Sequence, residues 1–159
     1  MGREIERKFL VSGESWRDAA GPGVSIRQGY LAFGPPTAVR VRIAGDKANL
    51  NIKTATTEVS RAEYEYPIPL EDAEEIFGTL CAHHLVEKTR FRVDYHGMTW
   101  EVDVFAGVNQ GLIVAELELE SESQPFDAPP WLGPEVSHEP RYLNTHLSRH
   151  PYTEWPEHA

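Results

Sequence analysis

The sequence predicts a mainly β protein of the α+β class, in which eight antiparallel strands form a barrel, or tunnel, with flanking helices. Three observations carry this prediction. Eight segments alternate apolar and polar residues with the period of two that places successive side chains on opposite faces of a strand. Most of these segments carry charged residues on one face. Glycine and proline residues separate several of them, as is typical of short turns between antiparallel strands.

Composition restricts the domain organisation and the function classes. A chain of 159 residues with 40% hydrophobic residues can bury a core, and we interpret residues 1–159 as a single domain. The sequence contains no apolar run long enough to span a membrane, and its charged N-terminus argues against export. We therefore expect a cytoplasmic protein. Cys81 is the only cysteine, which excludes an intrachain disulfide. The net charge of -10 argues against a nucleic-acid partner.

The first strand begins the charged pattern. Its alternation places Glu4, Glu6 and Lys8 on one face, and Ile5 and Phe9 on the other. Two carboxylates and an ammonium group in register can hold a hard cation and a phosphate oxygen side by side. For one strand alone, an edge strand with a solvated charged face is the commoner explanation. The functional interpretation therefore depends on the recurrence of the pattern along the chain.

The other elements follow in chain order. Strands are predicted over residues 4–11, 25–33, 38–44, 48–55, 60–68, 86–96, 98–105 and 112–121. The clearest helix spans residues 70–83, where Ala73 and Phe77 belong to an apolar stripe that we expect to pack on the sheet. A second helix is predicted over residues 139–149. We expect the tail over residues 152–159 to be loosely ordered.

The charged faces are sorted by sign from strand to strand. The third strand carries Arg40 and Arg42, the fourth Lys53, the sixth Lys88, Arg90 and Arg92, the seventh Glu101 and Asp103, and the eighth Glu116, Glu118 and Glu120, whereas the fifth mixes Arg61 with Glu63 and Glu65. A solvated sheet face more usually mixes signs, because mixing relieves repulsion. The sorting therefore favours a closed barrel with the charges in its lumen. Such a lumen must hold water, metal or ligand, because an uncompensated buried charge is unfavourable.

Several motifs in order along the chain resemble one known family. The matching segments are Glu-x-Glu-x-Lys at residues 4–8, followed by residues 40–42, 51–53, 63–65, 88–91 and 116–120, and by 131–136 and 141–144 near the C-terminus. They resemble the CYTH superfamily, also called triphosphate tunnel metalloenzymes, and in particular its short inorganic triphosphatases. The resemblance covers almost the whole chain. It implies an eight-stranded tunnel that binds a triphosphate together with Mg²⁺ or Mn²⁺.

The resemblance and the charged faces together suggest residue roles. Lys8, Arg40, Arg42, Lys53, Lys88 and Arg90 are predicted to bind the phosphate chain, with Arg92 further along the same face. Glu4, Glu6, Glu116 and Glu118 are predicted to hold the metal, since Mg²⁺ prefers oxygen ligands. Glu63, Glu65, Glu101, Asp103 and Glu120 are candidates for a second metal or for orienting water. Within these sets, Glu4, Glu6, Lys8 and Lys88 are the predicted catalytic residues.

The resulting hypothesis is a metal-dependent hydrolase of inorganic tripolyphosphate or a related triphosphate. A metal-activated water would attack the terminal phosphorus inside the charged tunnel. The alternatives are a class IV-type adenylate cyclase, a thiamine or nucleoside triphosphatase, and a non-catalytic polyphosphate-binding module. The acidic set favours a hydrolase, because a pure binder of a polyanion gains little from facing carboxylates. The expected partner is a small-molecule triphosphate, without membrane or nucleic acid, and a homodimer is one option.

Three further features have ordinary explanations. His146 and His150 lie four residues apart near a helix end, but no third zinc ligand is placed beside them. Tyr30 lies either near the tunnel mouth or packed on the barrel wall. The four tryptophans, Trp16, Trp100, Trp131 and Trp155, are interpreted as packing residues.

Overall fold

The computed structural model of the protein describes residues 3–54, 57–81 and 83–158. Its strands are β1 (Arg3–Val11), β2 (Val24–Ala32), β3 (Thr37–Ala44), β4 (Lys47–Thr54), β5 (Ser60–Ile68), β6 (Val86–Tyr95), β7 (Met98–Ala106), β8 (Ile113–Glu118) and β9 (Leu132–Glu135). The helices are α1 (Leu70–Thr79) and α2 (Asn144–Arg149), with short 3₁₀ turns at Ser15–Ala19, Gly107–Asn109, Pro140–Tyr142, Tyr152–Glu154 and Pro156–His158. All eight predicted strands are present. Ala55, the last residue of the predicted fourth strand, and Ala82, the next-to-last residue of the predicted first helix, lie outside the described residues.

The eight predicted strands close into a barrel. Their order is β5-β4-β3-β2-β6-β7-β8-β1, every neighbouring pair is antiparallel, and β1 also pairs with β5. The first part of β1 completes the ring, where Ile5 lies opposite Ser60 of β5. On its other edge β1 pairs with β8, where Glu6 lies opposite Glu118. This topology confirms the predicted eight-stranded antiparallel barrel.

A short ninth strand escapes prediction. β9 pairs with the end of β1, with Phe9 opposite Glu135 and Val11 opposite Leu132. A Cβ atom at Gly133 would lie 2.8 Å from the carbonyl oxygen of Leu10, so glycine permits the close approach of these two strands. The segment lies in a proline-rich passage and is too short to show alternation, which explains why its sequence pattern does not reveal a strand.

Apolar side chains on the outside of the barrel form the main core. Phe9, Trp16, Trp100 and Leu117 are buried there with other residues of β1, β6, β7 and β8. The ring centroids of Phe9 and Trp100 lie 5.7 Å apart in an edge-to-face arrangement. On the opposite side, α1 packs Ala73 against residues of β3 and β4, as the apolar stripe predicts. The helix ends at Thr79, earlier than predicted.

The C-terminal segment closes one end of the barrel. Inward-facing positions are apolar at this end, where Val86, Phe105 and Val114 each lie two residues from a charged residue on the same strand face. Leu147 of α2 and Trp155 of the tail pack against them. None of the described helices is long and apolar enough to cross a membrane.

The expectation of a loosely ordered tail is therefore wrong. Trp155 is only 6% exposed, and its indole Nε1 donates a hydrogen bond of 3.0 Å to the carbonyl oxygen of His150. Its ring centroid lies 5.3 Å from that of Tyr142. The described part of the tail, residues 152–158, forms two short 3₁₀ turns beside aromatic contacts of Trp155 with Tyr142 and Tyr152. Such short turns show no helical or strand periodicity in the sequence.

Candidate active site in the barrel lumen

The barrel lumen contains a cavity of about 330 Å³ with a strongly charged lining. Among its described lining residues are eight basic side chains, Lys8, Arg40, Arg42, Lys53, Arg61, Lys88, Arg90 and Arg92, and seven acidic ones, Glu4, Glu6, Glu63, Glu65, Glu101, Glu116 and Glu118. These residues occupy alternating positions of seven strands, because each strand turns every second side chain inward.

Strand order gathers the two signs on opposite halves of the cavity. We call the half formed by β6, β2, β3 and β4 the basic wall, and the half formed by β7, β8, β1 and β5 the acidic wall. The basic wall carries six of the eight basic residues, and the acidic wall carries all seven glutamates. Lys8 and Arg61 are the two cations of the described lining that lie on the acidic wall. The β1–β5 pairing that closes the barrel also completes the acidic wall.

The arginines on β3 make their side-chain hydrogen bonds to neutral amides, and the carboxylate that Arg40 contacts, Glu63, lies 3.9 Å from its Nη2 atom. Arg40 is 3% exposed and donates from Nε to Asn51 Oδ1 at 3.3 Å. Arg42 donates from Nε to Gln28 Oε1 at 3.0 Å. Burial, together with the neighbouring guanidinium groups of Arg40 and Arg90, lowers the pKa of Arg42 to about 10. Neutral amide partners and crowded cations make this wall suitable for a polyanion.

Asp103 of β7 binds two cations of the basic wall, Lys88 and Arg90. The Lys88 Nζ atom lies 2.8 Å from Asp103 Oδ2, and Arg90 donates to both oxygens of the same carboxylate, at 2.7 and 2.9 Å. Burial lowers the pKa of Lys88 to about 8 despite this carboxylate. Asp103 is completely buried and does not belong to the cavity lining. Its position supports a role in holding Lys88 and Arg90, not the predicted contact with a second metal or with water.

Two carboxylates of the acidic wall have raised pKa values. Burial, together with the neighbouring carboxylates of Glu116 and Glu4, raises the pKa of Glu6 to about 8. Burial and a hydrogen bond with Glu4 raise the pKa of Glu63 to about 7. An additional positive charge beside Glu6 and Glu63 would stabilise their ionised forms.

The donor chemistry of the acidic wall fits a hard divalent cation. Glu4, Glu6, Glu116 and Glu118 offer only oxygen ligands, which Mg²⁺ and Mn²⁺ prefer. In residues 3–54, 57–81 and 83–158, no three or more His, Cys, Asp or Glu side chains are grouped closely enough to hold a metal ion. The carboxylates contact cations of the protein instead: Glu4 and Glu6 contact Arg61, and Glu116 contacts Lys8 and Arg90.

Most residues selected from the sequence meet in this cavity. The lining includes all six residues predicted to bind phosphate, all four predicted to hold metal, and Glu63, Glu65, Glu101 and Arg92. Glu120 does not line it, because β8 ends at Glu118 and Glu120 is exposed beyond that end. Tyr30 lines the cavity and is only 5% exposed.

Several lining or supporting residues are missed by the sequence prediction. Arg61 shares a face with Glu63, but a lone cation on an acidic strand does not suggest a role. Gln28 and Asn51 are fully buried amides that position the β3 arginines. Leu143–Thr145 line the cavity from the C-terminal segment, which only the tertiary packing places there.

Comparison with known proteins agrees with this architecture. The chain matches the family model of the CYTH domain over residues 2–151. It is 47% identical over 157 residues to an inorganic triphosphatase of Acetivibrio thermocellus, covering 99% of this chain and 100% of that protein. It is 38% identical over 151 residues to an inorganic triphosphatase of Nitrosomonas europaea, covering 91% of this chain and 96% of that protein. The crystal structure of an inorganic triphosphatase aligns with a TM-score of 0.66 at 36% identity, covering 91% of this chain and 93% of that chain. The chain therefore belongs to the CYTH domain family.

Proposed function

We propose that this protein hydrolyses inorganic tripolyphosphate or a closely related triphosphate, by attack of water on the terminal phosphorus inside the barrel. The observation that carries this proposal is the division of one cavity into a basic and an acidic wall. A phosphate chain can lie on one wall while a divalent cation lies on the other. Two relatives that match nearly full length are inorganic triphosphatases, which supports the same reaction.

The basic wall binds and orients the phosphate chain. Arg40, Arg42 and Lys53 present donors from one side, and Lys88 and Arg90 from the other side of β2. Because these donors come from fixed strands, a linear chain of linked phosphates can contact several of them at once. Their charge also stabilises the negative charge that shifts between phosphate oxygens as the terminal bond breaks.

The acidic wall supplies the ligands for a divalent cation. Glu4, Glu6, Glu116 and Glu118 would hold Mg²⁺ or Mn²⁺, and Glu63, Glu65 and Glu101 of the same lining would orient water. When bound, the cation would supply Lewis acidity and make a water molecule more acidic. Facing carboxylates distinguish this lumen from that of a passive polyphosphate binder, for which they would only weaken anion binding.

A phosphate-release assay tests the proposal. We expect tripolyphosphate with Mg²⁺ or Mn²⁺ to yield phosphate and pyrophosphate, and ATP, if used, to yield phosphate and ADP. Glu4→Gln and Glu6→Gln should each lower turnover by about 100-fold or more, since they remove charge from the proposed metal ligands but keep side-chain shape. Glu135→Gln is the control, because Glu135 pairs with Arg7 away from the cavity lining.

Three results would contradict the proposal. Near-native turnover of both glutamine variants at saturating metal would remove the acidic wall from catalysis. Release of cyclic AMP and pyrophosphate from ATP as the main products would favour the cyclase alternative. Binding of tripolyphosphate without any hydrolysis, across both metals, would favour the non-catalytic binding module.

A further inference from the structure

Arg61 places a positive charge between two carboxylates of the acidic wall. Its Nη2 atom donates to Glu4 Oε1 at 2.8 Å and to Glu6 Oε1 at 3.1 Å. The side chain is 12% exposed, and those of Glu4 and Glu6 are 14% and 13% exposed. Arg61 thus supplies positive charge to two carboxylates whose oxygen atoms could also be ligands of a divalent cation.

The contacts of Arg61 differ from those of the other anchored cations. Arg90 donates a bidentate pair of hydrogen bonds to Asp103, and Lys8 donates one to the carbonyl oxygen of Tyr142 at 3.2 Å. Arg61 uses one terminal nitrogen for both carboxylates, while its buried Nε has no hydrogen-bond partner among the described residues. A guanidinium usually binds a carboxylate most strongly through two parallel, bidentate hydrogen bonds. Arg61 therefore neutralises its partners without being fully satisfied by them.

A divalent cation held by Glu4 and Glu6 would compete with the Arg61 guanidinium for the two carboxylates. Two positive centres at hydrogen-bond or ligand distance from the same carboxylates would lie only a few ångströms apart, where repulsion inside a barrel is strong. If Glu4 and Glu6 held a metal ion, Arg61 would have to release at least one of them. Arg61 lines the same cavity as the predicted phosphate-binding residues, so the released guanidinium could donate hydrogen bonds to phosphate oxygens.

We propose that Arg61 is a tethered counter-ion, which holds the carboxylates of Glu4 and Glu6 in the metal-free protein and yields them to the incoming divalent cation. The inference rests on the proposed function, because it takes Glu4 and Glu6 as metal ligands. It has two consequences. Metal alone binds more weakly than the carboxylate set would allow, since it must displace Arg61. Triphosphate strengthens metal binding by accepting the displaced guanidinium, and by linkage metal strengthens triphosphate binding equally.

The test is direct measurement of Mn²⁺ affinity without substrate. Isothermal titration, or the electron paramagnetic resonance signal of free Mn²⁺, gives Kd for the wild type, Arg61→Gln and Arg61→Lys at one alkaline pH where the carboxylates are ionised. We expect Arg61→Gln to bind Mn²⁺ about tenfold more tightly than the wild type, because the competitor is gone. Arg61→Lys should lie between them, since a shorter side chain with one nitrogen reaches the carboxylates less well.

The matched control is Arg7→Gln. Arg7 lies on the same strand as Glu4 and Glu6, but its guanidinium pairs with Glu135 of β9, outside the cavity lining. This variant removes the same amount of charge and should leave the Mn²⁺ affinity unchanged. Tighter binding in both variants to the same extent would mean that net charge alone is responsible, and would overturn the proposal.

Thermal unfolding gives a second readout. Arg61→Gln should be less stable than the wild type without metal, because its carboxylates repel one another, and Mn²⁺ should stabilise it more than it stabilises the wild type. Equal or weaker Mn²⁺ affinity in Arg61→Gln overturns the inference. If that variant does not fold even with Mn²⁺, equal or weaker affinity in Arg61→Lys overturns it.

The two proposals fail in different ways. If the wild type hydrolyses tripolyphosphate and Arg61→Gln binds Mn²⁺ no more tightly, the counter-ion role is wrong while the proposed function stands. If the wild type neither binds Mn²⁺ nor hydrolyses tripolyphosphate, the proposed function is wrong, and the counter-ion role falls with it.

Discussion

Lys88 and Asp103 form an ion pair in which both side chains are completely buried, with Nζ 2.8 Å from Oδ2. The same carboxylate also holds Arg90. Asp103 thus fixes two cations of the basic wall from a position that the cavity does not reach. Buried pairs of this kind add little net stability, but losing one partner leaves an uncompensated charge.

We therefore predict that Asp103→Asn lowers the free energy of unfolding by about 3 kcal/mol or more. It should also raise KM for tripolyphosphate, because Lys88 and Arg90 lose their common anchor. Urea denaturation and steady-state kinetics measure the two effects. Asp94→Asn is the control, since Asp94 is exposed on β6 and should change stability by no more than about 0.5 kcal/mol. Equal stability of the two variants would contradict the anchoring role.

Arg40 is expected to act directly on substrate. Arg40→Ala should lower kcat/KM for tripolyphosphate by about 100-fold, because a buried donor to the phosphate chain is lost. Arg27→Ala is the matched control: Arg27 pairs with Glu74 of α1 on the outside of the barrel. Kinetics in which both variants behave alike would indicate that the charged faces of the strands are structural.

Anion binding by the metal-free protein should depend on pH. Burial lowers the pKa values of Lys53 and Lys88 to about 8, so both are charged below that pH and lose their charge as pH rises through it. Affinity for tripolyphosphate, measured by titration calorimetry without metal, should therefore fall across this range. Lys88→Arg should weaken the fall, because arginine stays protonated. Lys47→Arg, at an exposed position of β4, should leave it unchanged and corrects for titration of the ligand itself. A fall of the same size in all three proteins would contradict the assignment.

The C-terminal tail is predicted to stabilise the barrel. Trp155→Ala should lower the free energy of unfolding by about 3 kcal/mol, because the ring is 6% exposed and packs with Tyr142 at one end of the lumen. Chemical denaturation monitored by circular dichroism measures the change. Thr153→Ala, at an exposed position of the same tail, should have a much smaller effect. No difference between the variants would restore the picture of a loosely ordered tail.

Ligands that span both walls should raise the melting temperature most. Tripolyphosphate with Ca²⁺ can contact several basic strands while the cation neutralises the acidic wall, provided that Ca²⁺ supports binding without turnover. A ligand at a thousandfold excess over Kd stabilises the folded state by about 4 kcal/mol. At roughly 2–4 °C per kcal/mol, the shift is easily measured in a thermal series with phosphate, pyrophosphate and tripolyphosphate. Equal small shifts for all three would show that the charged faces do not form one triphosphate site.

Local alternation in the sequence determined which side chains share a face. Because a strand turns every second residue inward, Glu4, Glu6 and Lys8 could be grouped without knowing the partner strands. The same rule grouped Arg40 with Arg42. The eight strands, the barrel and most of the cavity lining could be predicted on this basis, helped by the family resemblance. Period and turn chemistry are properties of neighbouring residues, and so they can be read along the chain.

Tertiary structure alone decided which strands became neighbours. The pairing of β1 with β5 gathers Glu63 beside Glu4 and completes the acidic wall, while β2 pairs with β6 and joins two basic regions. These contacts depend on hydrogen bonds and packing between segments far apart in sequence. The same long-range packing buried Asp103 in contact with Lys88 and placed Arg61 between Glu4 and Glu6. It also packed Trp155 against one end of the barrel. Strand pairing thus turned sign-sorted strands into a cavity with two walls, which no local pattern specifies.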